Sequence, residues 1–255
     1  MAAFQPDSSV VADVVPSPTH DERKGGRQPD IILLHYTGMQ NADAALARLC
    51  SPESKVSSHY FVFEDGRIVQ SVQESRRAWH AGVSSWAGES DINSLSIGIE
   101  IANPGHDFGY PDFSKRQIAA VITLCRGIIA RRGIAPGRVL AHSDVAPARK
   151  QDPGEKFPWK LLHDSGVGQW VRPSRINERG RAFKLGDKGE EVRGLQSAFA
   201  DFGYGIPVNG IFDEATRDVV TAFQRHFRQA KVDGVADHST LRTLQKLLEK
   251  RRAVV

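Results

Sequence analysis

Two histidines and one aspartate of this sequence have the types and positions of a catalytic metal site. His35 follows the apolar run Ile31–Leu34, and His142 follows the short apolar run Val139–Ala141. Asp152 comes later in the same Pro-rich segment as His142. Neutral imidazoles and one carboxylate are ordinary ligands of a catalytic Zn²⁺, which keeps a fourth position for water. This pattern fits a zinc site in which His35, His142 and Asp152 are candidate ligands.

Two further side chains fit the proton transfer and charge stabilisation that a hydrolysis at such a site requires. Bound zinc lowers the pKa of its water toward ~7, so a carboxylate outside the ligand set is needed to move protons. Glu100 alternates with isoleucines in Ser96–Ile101, where a Glu is either solvated or held near a cation. Lys150 precedes Asp152 by two residues, where its ammonium can stabilise an oxyanion.

Each of these residues also has a purely structural interpretation. A histidine at the end of a buried strand can be a hydrogen-bonded core residue, although a site at that position is typical of open α/β sheets. The segment from 141 to 159 contains Pro147, Pro153, Gly154 and Pro158, which exclude a regular helix. It can therefore be a rigid holder of reacting groups or a surface loop with solvated charges.

Local patterns predict the elements that would position these residues. Ile31–Leu34 has the composition of a central strand, and 58–63 with 68–72 has that of a hairpin around the turn Asp65–Gly66. Residues 96–101 alternate as a strand. Residues 114–132 keep a helical period between a capping box at Ser114 and a closing glycine.

The C-terminal part of the chain contains an internal repeat. Val208–Thr216 reappears as Val232–Thr240, and each copy has an Asx–Gly turn, an aspartate suited to N-capping and then an amphipathic helix. A third helix is predicted over Glu190–Phe202. These three helices predict a small, separate all-α unit.

Composition excludes several classes of protein. The 255 residues carry a formal charge of only +4 and no dense Lys/Arg stripe, so we expect no nucleic-acid partner. The two cysteines, Cys50 and Cys125, lack CxxC spacing, which excludes a thiolate zinc cluster. No apolar run approaches membrane-spanning length, and no export signal is visible before Arg27. The absent signal favours the cytoplasm, with the cell envelope as the alternative.

Several sequence blocks, in order, resemble the zinc-dependent N-acetylmuramoyl-L-alanine amidases, more narrowly the amidase-2 branch that contains AmpD and AmiD. The blocks are Leu34–Gly38, Val56–Tyr60, Ala78–Gly82, Asn93–Glu100, His142–Asp144 and Lys150–Gly154. The resemblance implies a mixed central β-sheet flanked by helices. It implies one Zn²⁺ per chain on His35, His142 and Asp152, with Glu100 as general acid/base and Lys150 as transition-state stabiliser.

Four residues in the matching blocks are expected to line the substrate cleft: His59, Trp79, His80 and Asn93. His59 can equally be a structural hydrogen-bonding residue, and tryptophans in this region can serve loop packing. Five other histidines match nothing and are interpreted as surface residues: His20, His106, His163, His226 and His238.

The C-terminal helices resemble the peptidoglycan-binding domain 1 family, with Ala236 departing from the glycine that the family often carries in one turn. The predicted organisation is an extended arm over residues 1–29, a zinc amidase catalytic unit over 30–172, a linker over 173–182 and a peptidoglycan-binding helical unit over 183–250. "Catalytic unit" and "helical unit" denote these ranges below.

Together these resemblances imply an enzyme that hydrolyses the amide between the lactyl group of (anhydro)muramic acid and L-alanine. Its partners would be peptidoglycan or muropeptides, with no obligate protein partner. Two alternatives are a non-catalytic peptidoglycan-recognition protein and a zinc peptidase that cuts within the stem peptide.

Overall fold

A computed structural model describes residues 4–176 and 180–252 and contains a mixed sheet with flanking helices, followed by helices alone. The strands in these residues are β1 Asp13–Val14, β2 His20–Glu22, β3 Ile31–Tyr36, β4 Tyr60–Val62, β5 Ile68–Gln70, β6 Arg76–Ala78, β7 Ser96–Ile101 and β8 Val139–Ala141. The α-helices are α1 Ala42–Leu49, α2 Ile92–Leu95, α3 Lys115–Arg132, α4 His142–Val145, α5 Trp159–Asp164, α6 Glu190–Phe202, α7 Glu214–Phe227 and α8 His238–Arg252. The predicted fold class is confirmed.

The main sheet has the strand order β1-β5-β4-β7-β3-β8. β3 lies between β7 and β8 and is parallel to both, whereas β4 and β5 form the predicted antiparallel hairpin. Because parallel neighbours end at the same edge, the carboxyl ends of β3, β7 and β8 meet there. His35 pairs directly with Glu100 across β3 and β7, and Ala141 of β8 pairs with Leu34.

Side-chain alternation gives the two faces of this sheet different partners. On β3, Ile32 and Leu34 pack in the cluster that includes α3, while Ile31 and Leu33 pack on the opposite side. Since successive side chains of a strand point to opposite faces, His35 lies on the same face as Ile31 and Leu33. α3 begins at the predicted cap, where Ser114 Oγ accepts from the Gln117 N–H at 3.1 Å.

The described part of the N-terminal segment, residues 4–29, joins both sheets. β1 pairs parallel with β5, and β2 pairs antiparallel with β6. Arg23 is 6% exposed, and its guanidinium donates to the carbonyl oxygens of Glu74, Asn93, Ser94 and Ser96. The segment therefore holds the loops around the site, a role that its polar composition did not indicate.

The helical unit repeats one hydrogen-bonding device. Gln196 Oε1 accepts from the N–H groups of Asn209 and Gly210, at 3.0 and 2.8 Å. In the second copy, Gln224 Oε1 accepts from the N–H groups of residues 233 and 234, both at 2.9 Å. Each buried glutamine thus fixes one Asx–Gly turn on the preceding helix, which explains why the turn and the helix recur together. Part of the predicted linker, residues 177–179, lies outside the described residues.

The helical unit shares an apolar cluster with the catalytic unit. One apolar cluster contains Ile31, Leu33 and Trp86 together with Tyr204 and Phe223. Trp86 is 1% exposed, with its ring centroid 5.0 Å from that of Tyr204. Helical periodicity shows which residues of one helix share a face, but it does not show what covers that face.

Within residues 4–176 and 180–252, none of the helices combines the length and apolarity needed to cross a membrane. The two cysteines are free thiols; Cys125 is buried and Cys50 is half-buried.

Candidate metal centre and active site

The three predicted zinc ligands converge at the carboxyl edge of the sheet. His35 Nδ1 lies 2.9 Å from His142 Nδ1 and 3.2 Å from Asp152 Oδ2, and His142 Nδ1 lies 3.0 Å from the same oxygen. All three residues are buried, and their possible ligand atoms lie within 4.8 Å of one another. They come from the end of β3, the start of the one-turn helix α4, which the sequence did not predict, and the loop beyond it.

The outward nitrogen of each histidine is occupied, which leaves both Nδ1 atoms for a metal. His142 Nε2 lies 3.1 Å from the Ala81 carbonyl oxygen, so it carries the proton that it donates there. His35 Nε2 lies 3.1 Å from His80 Nδ1, and His80 Nε2 lies 3.3 Å from Ser96 Oγ. Because Ser96 Oγ donates to the Ile92 carbonyl oxygen, this chain of bonds assigns the proton of His35 to Nε2.

A glycine makes room for this arrangement behind His35. A Cβ on Gly98 of β7 would lie 2.5 Å from Cγ of His80. Gly98 faces the same side of β7 as Glu100, so its missing side chain lets the His80 ring approach the strand. The Gly in the strand predicted over 96–101 therefore has a packing function in the site.

The loop carrying Asp152 is held at several points. The Asp152 carbonyl oxygen accepts from the Ser143 N–H at 3.0 Å, which ties the two ligand-bearing segments together. The Tyr110 hydroxyl donates to the Pro153 carbonyl oxygen at 2.7 Å. A Cβ on Gly154, whose φ is +83°, would overlap the Tyr110 hydroxyl. Pro153 and Gly154 therefore have specific partners, as expected of a rigid ligand holder.

Burial and charge favour a neutral His35 imidazole beside an ionised Asp152 carboxylate. Burial, followed by the effect of His142, lowers the pKa of His35 to about 4. Burial raises the pKa of Asp152, but His142 and His35 outweigh it and hold this pKa well below its ordinary value. These are the protonation states that metal ligands require.

Glu100 and Lys150 line the same cleft, which has a volume of about 390 Å³, together with the three candidate ligands. Glu100 Oε2 is buried without a hydrogen-bond partner among the described residues. Burial, followed by the Asp152 carboxylate, raises the pKa of Glu100 well above its ordinary value, while Lys150 opposes this. A carboxyl group with a raised pKa and a free oxygen has the properties of a general acid/base.

The four predicted substrate contacts separate into two groups. Trp79 and His80 line the cleft, whereas His59 and Asn93 do not. His59 is fully buried and Asn93 is 8% exposed. The Asn93 side-chain oxygen accepts from the N–H groups of His80 and Ala81, so it positions the cleft wall. The prediction of substrate contact is therefore corrected for His59 and Asn93.

His59 has the structural role that the sequence left open. Its Nδ1 accepts from the Gly98 N–H at 2.9 Å, so its proton is on Nε2, which lies 3.1 Å from the Arg76 carbonyl oxygen. Burial, and then the nearby Arg23 guanidinium, lower its pKa to about 3. Protonation would also direct a second N–H at the Gly98 N–H.

We expect His59 to make the fold sensitive to acid. Its pKa is about 3 when folded and 6.5 in the reference state, so the unfolded chain binds more protons between these values. Its stabilising effect is therefore complete above pH 6.5 and is lost as the pH falls toward 3. In urea unfolding of His59→Asn, the free energy of unfolding should depend less on pH than in the parent, by up to about 1.4 kcal/mol per pH unit. Parallel pH dependences would contradict this role.

Asp144, Tyr204 and His226 form a buried group next to the turn that carries His142, and the sequence indicated no role at the site for any of them. Asp144 is fully buried and bonds Tyr204 and His226 of the helical unit. The interpretation of His226 as a surface residue is wrong, since it is 2% exposed. A signal was present: His226 is three residues after Phe223 and seven after Val219, and therefore lies on the apolar face of α7. Trp86 has the packing role that the sequence left open, since it is 1% exposed and its ring packs against that of Tyr204.

Two protein families match this chain. Residues 25–155 match the N-acetylmuramoyl-L-alanine amidase family Amidase_2, and residues 188–244 match the peptidoglycan-binding domain family PG_binding_1. The first match contains all three candidate ligands, Glu100 and Lys150. The second contains the paired Asx–Gly turns.

Two relatives that are named as amidases each match more than half of this chain. N-acetylmuramoyl-L-alanine amidase AmiD of Escherichia coli K12 is 37% identical over 236 residues, which is 86% of this chain and 82% of AmiD. 1,6-anhydro-N-acetylmuramyl-L-alanine amidase AmpD of Citrobacter freundii is 34% identical over 57% of this chain and 84% of AmpD.

Solved structures agree with this assignment. The complex of E. coli AmiD with anhydro-N-acetylmuramic acid-L-Ala-D-γ-Glu-L-Lys superposes with a TM-score of 0.74 at 36% identity, covering 91% of this chain and 98% of AmiD. AmpDh3 of Pseudomonas aeruginosa with anhydromuramic pentapeptide gives 0.74 at 31% identity, covering 89% and 94% of the two chains. The chain therefore belongs to the N-acetylmuramoyl-L-alanine amidase family and carries, C-terminal to its catalytic domain, a domain of the peptidoglycan-binding family.

Proposed function

We propose that this amidase hydrolyses the lactyl–L-alanine amide with one Zn²⁺ held by His35, His142 and Asp152. The observation that supports this most directly is the convergence of two Nδ1 atoms and one carboxylate oxygen within 4.8 Å at the wall of the cleft. The ligand set is of the N/O type found in catalytic zinc sites, with three protein ligands. The occupied Nε2 atoms of both histidines further support it, because the remaining lone pairs face one another.

Glu100 is the group that moves protons in this proposal. Bound Zn²⁺ polarises the carbonyl group and lowers the pKa of a water molecule toward ~7. Glu100 accepts the proton from the attacking water as the new C–O bond forms. It then gives this proton to the departing nitrogen, so that L-alanine leaves as an amine and the lactyl group as a carboxylate. Its unpartnered Oε2 beside the cleft supports this role.

Lys150 stabilises the oxyanion that forms on the reacting carbonyl. Its side chain lines the cleft and has no hydrogen bond or ion pair with any residue that the structure describes. Its charge opposes the rise in the pKa of Glu100 and lowers the pKa of His35, so it acts on the same region. A preorganised cation near a developing negative charge lowers the barrier of an acyl transfer.

We further propose that the physiological substrate is polymeric peptidoglycan. The helical unit supports this, because binding a polymer at a second point raises the local concentration of the amide bond. A polymeric substrate would place the enzyme in the cell envelope.

One experiment tests the reaction and the substrate together. We expect mass spectrometry of digested sacculi to detect stem peptides that begin with L-alanine and glycan freed of peptide. Shortened stem peptides would instead indicate a peptidase, and unchanged sacculi together with unchanged muropeptides would indicate a recognition protein. Turnover of anhydromuropeptides but not of sacculi would contradict the polymer proposal and favour a cytoplasmic enzyme.

A further inference from the structure

The Asp144 side chain connects the turn that carries His142 to the helical unit. His142 and Asp144 both belong to the one-turn helix α4, and Asp144 is fully buried. Its Oδ2 accepts from the Ala141 N–H at 2.8 Å, so the carboxylate closes the turn on itself. A buried carboxylate needs further donors, because burying a charge without partners is costly.

Both further donors come from the helical unit. The Tyr204 hydroxyl donates to Asp144 Oδ1 at 2.7 Å, and His226 Nδ1 donates to Asp144 Oδ2 at 2.6 Å. These residues are 60 and 82 positions away along the chain. The helical unit therefore supplies the two further donors to Asp144, in the turn that carries His142.

The two donors are themselves held firmly. The His226 ring lies between those of Trp159 and Phe227, with centroid distances of 3.6 and 3.8 Å and interplanar angles of 24° and 6°. The Tyr204 ring packs against Trp86 in the shared core, and both are buried. A donor whose ring is fixed by packing can fix its acceptor in turn.

The same domain also holds the segment on either side of Asp152. Arg225 donates to Gln151 Oε1 at 3.0 Å, one residue before the ligand. Gln229 Nε2 donates to the carbonyl oxygens of Glu155 and Phe157, both at 2.6 Å. Contacts from α7 and the residues after it therefore reach both the turn that carries His142 and the loop that carries Asp152.

We propose that the helical unit is a structural support for the metal centre: Tyr204 and His226 hold Asp144, and thereby fix His142 in its ligand position. The inference rests on the proposed zinc site and adds a second function to the peptidoglycan-binding domain. Tyr204 and His226 act through Asp144 and are positioning residues. Partners that orient a ligand typically contribute 10–100-fold in metal affinity or activity.

Two variants of the full-length protein remove one donor each and keep an aromatic ring for packing. We expect Tyr204→Phe and His226→Phe to weaken zinc binding by about 10–100-fold in competition with a chromophoric chelator. The visible absorption spectrum of the cobalt-substituted protein should also change, because it reports the geometry of the ligands. A loss of general stability alone would not alter that spectrum.

Thr240→Val is the matched control. Thr240 is fully buried in the helical unit, and its hydroxyl bonds Asp237, Gln224 and Arg228 without contacting the metal-ligand loop. We expect this variant to lower the melting temperature but to keep zinc affinity within about twofold of the parent, because distant sites act independently.

Three outcomes separate this inference from the proposed function. A parent protein that binds no zinc would overturn the zinc site itself. Zinc binding by the parent, with unchanged zinc affinity and cobalt spectrum in Tyr204→Phe, would overturn only the positioning role. An equal loss of zinc affinity in Thr240→Val would also overturn that role, because it would reduce the effect to general destabilisation.

Discussion

Replacing His142 with alanine is expected to release the metal and to end amide hydrolysis. His142 supplies one of three converging ligand atoms, and its other ring nitrogen is committed to the Ala81 carbonyl oxygen. Four-ligand structural zinc sites bind with about 10–16 kcal/mol, so one ligand corresponds to a loss of roughly 10²–10³-fold in affinity. Activity should fall by about 10³-fold or more, because both the polarised carbonyl and the activated water are lost.

Metal analysis after dialysis and the rate of amide cleavage measure this effect. His163→Ala is a matched control, since His163 is a half-buried histidine that does not line the cleft and whose ring contacts the Gly168 carbonyl oxygen and the Lys250 ammonium. Asp152→Asn keeps the shape of the third ligand and should also lose zinc even if His142→Ala folds poorly. Full zinc occupancy in both ligand variants would contradict the assignment of the site.

The sequence predicted much of the placement of these side chains because its main determinants are local. The run Ile31–Leu34 identifies a central strand, and alternation in 96–101 places Glu100 on one face of the next strand. Parallel pairing then brings His35 beside Glu100 in exact register. The resemblance to the amidases contributed what spacing alone could not, namely that the loop after β8 returns Asp152 to the same point.

Failures of prediction concern contacts between distant segments. The family motifs indicate that His59 and Asn93 lie near the site. They do not show whether each side chain faces the cleft or bonds to a backbone group. Both side chains bond backbone N–H groups instead: His59 that of Gly98, and Asn93 that of His80. His226 was misassigned for a related reason: its partner Asp144 is 82 residues away, and no periodicity connects the two.

The shared core connects the helical unit structurally to the catalytic centre. A module joined only by a flexible linker would raise the local substrate concentration and leave the catalytic centre unaffected. Here Trp86 of the catalytic unit is buried against Tyr204, and α7 contacts the loop that carries two of the candidate ligands. The domain proposed to bind polymer therefore also contacts the segments that carry the candidate ligands, so truncating it would remove these contacts as well.

Glu100→Gln is expected to keep zinc and the fold while lowering kcat by about 10²–10⁴-fold, the usual size of a general acid/base contribution. Glutamine has the same shape but cannot accept the proton from water or return it to the leaving amine. Glu100 is not in the converging ligand set, and its Oε2 has no partner to lose among the described residues. Metal content and melting temperature should therefore stay near those of the parent.

Asp107→Asn provides the comparison that isolates this role, because Asp107 is a carboxylate in the wall of the same cleft that is neither a candidate ligand nor the proposed proton carrier. Its loss removes one carboxyl group from the cleft without removing the proposed proton carrier. If both variants slow the reaction equally, the effect is electrostatic, and Glu100 is not the general base. If only Glu100→Gln lowers kcat and zinc is retained, the proton passes through Glu100, and the raised pKa of its buried carboxyl group is the property that suits it to this step.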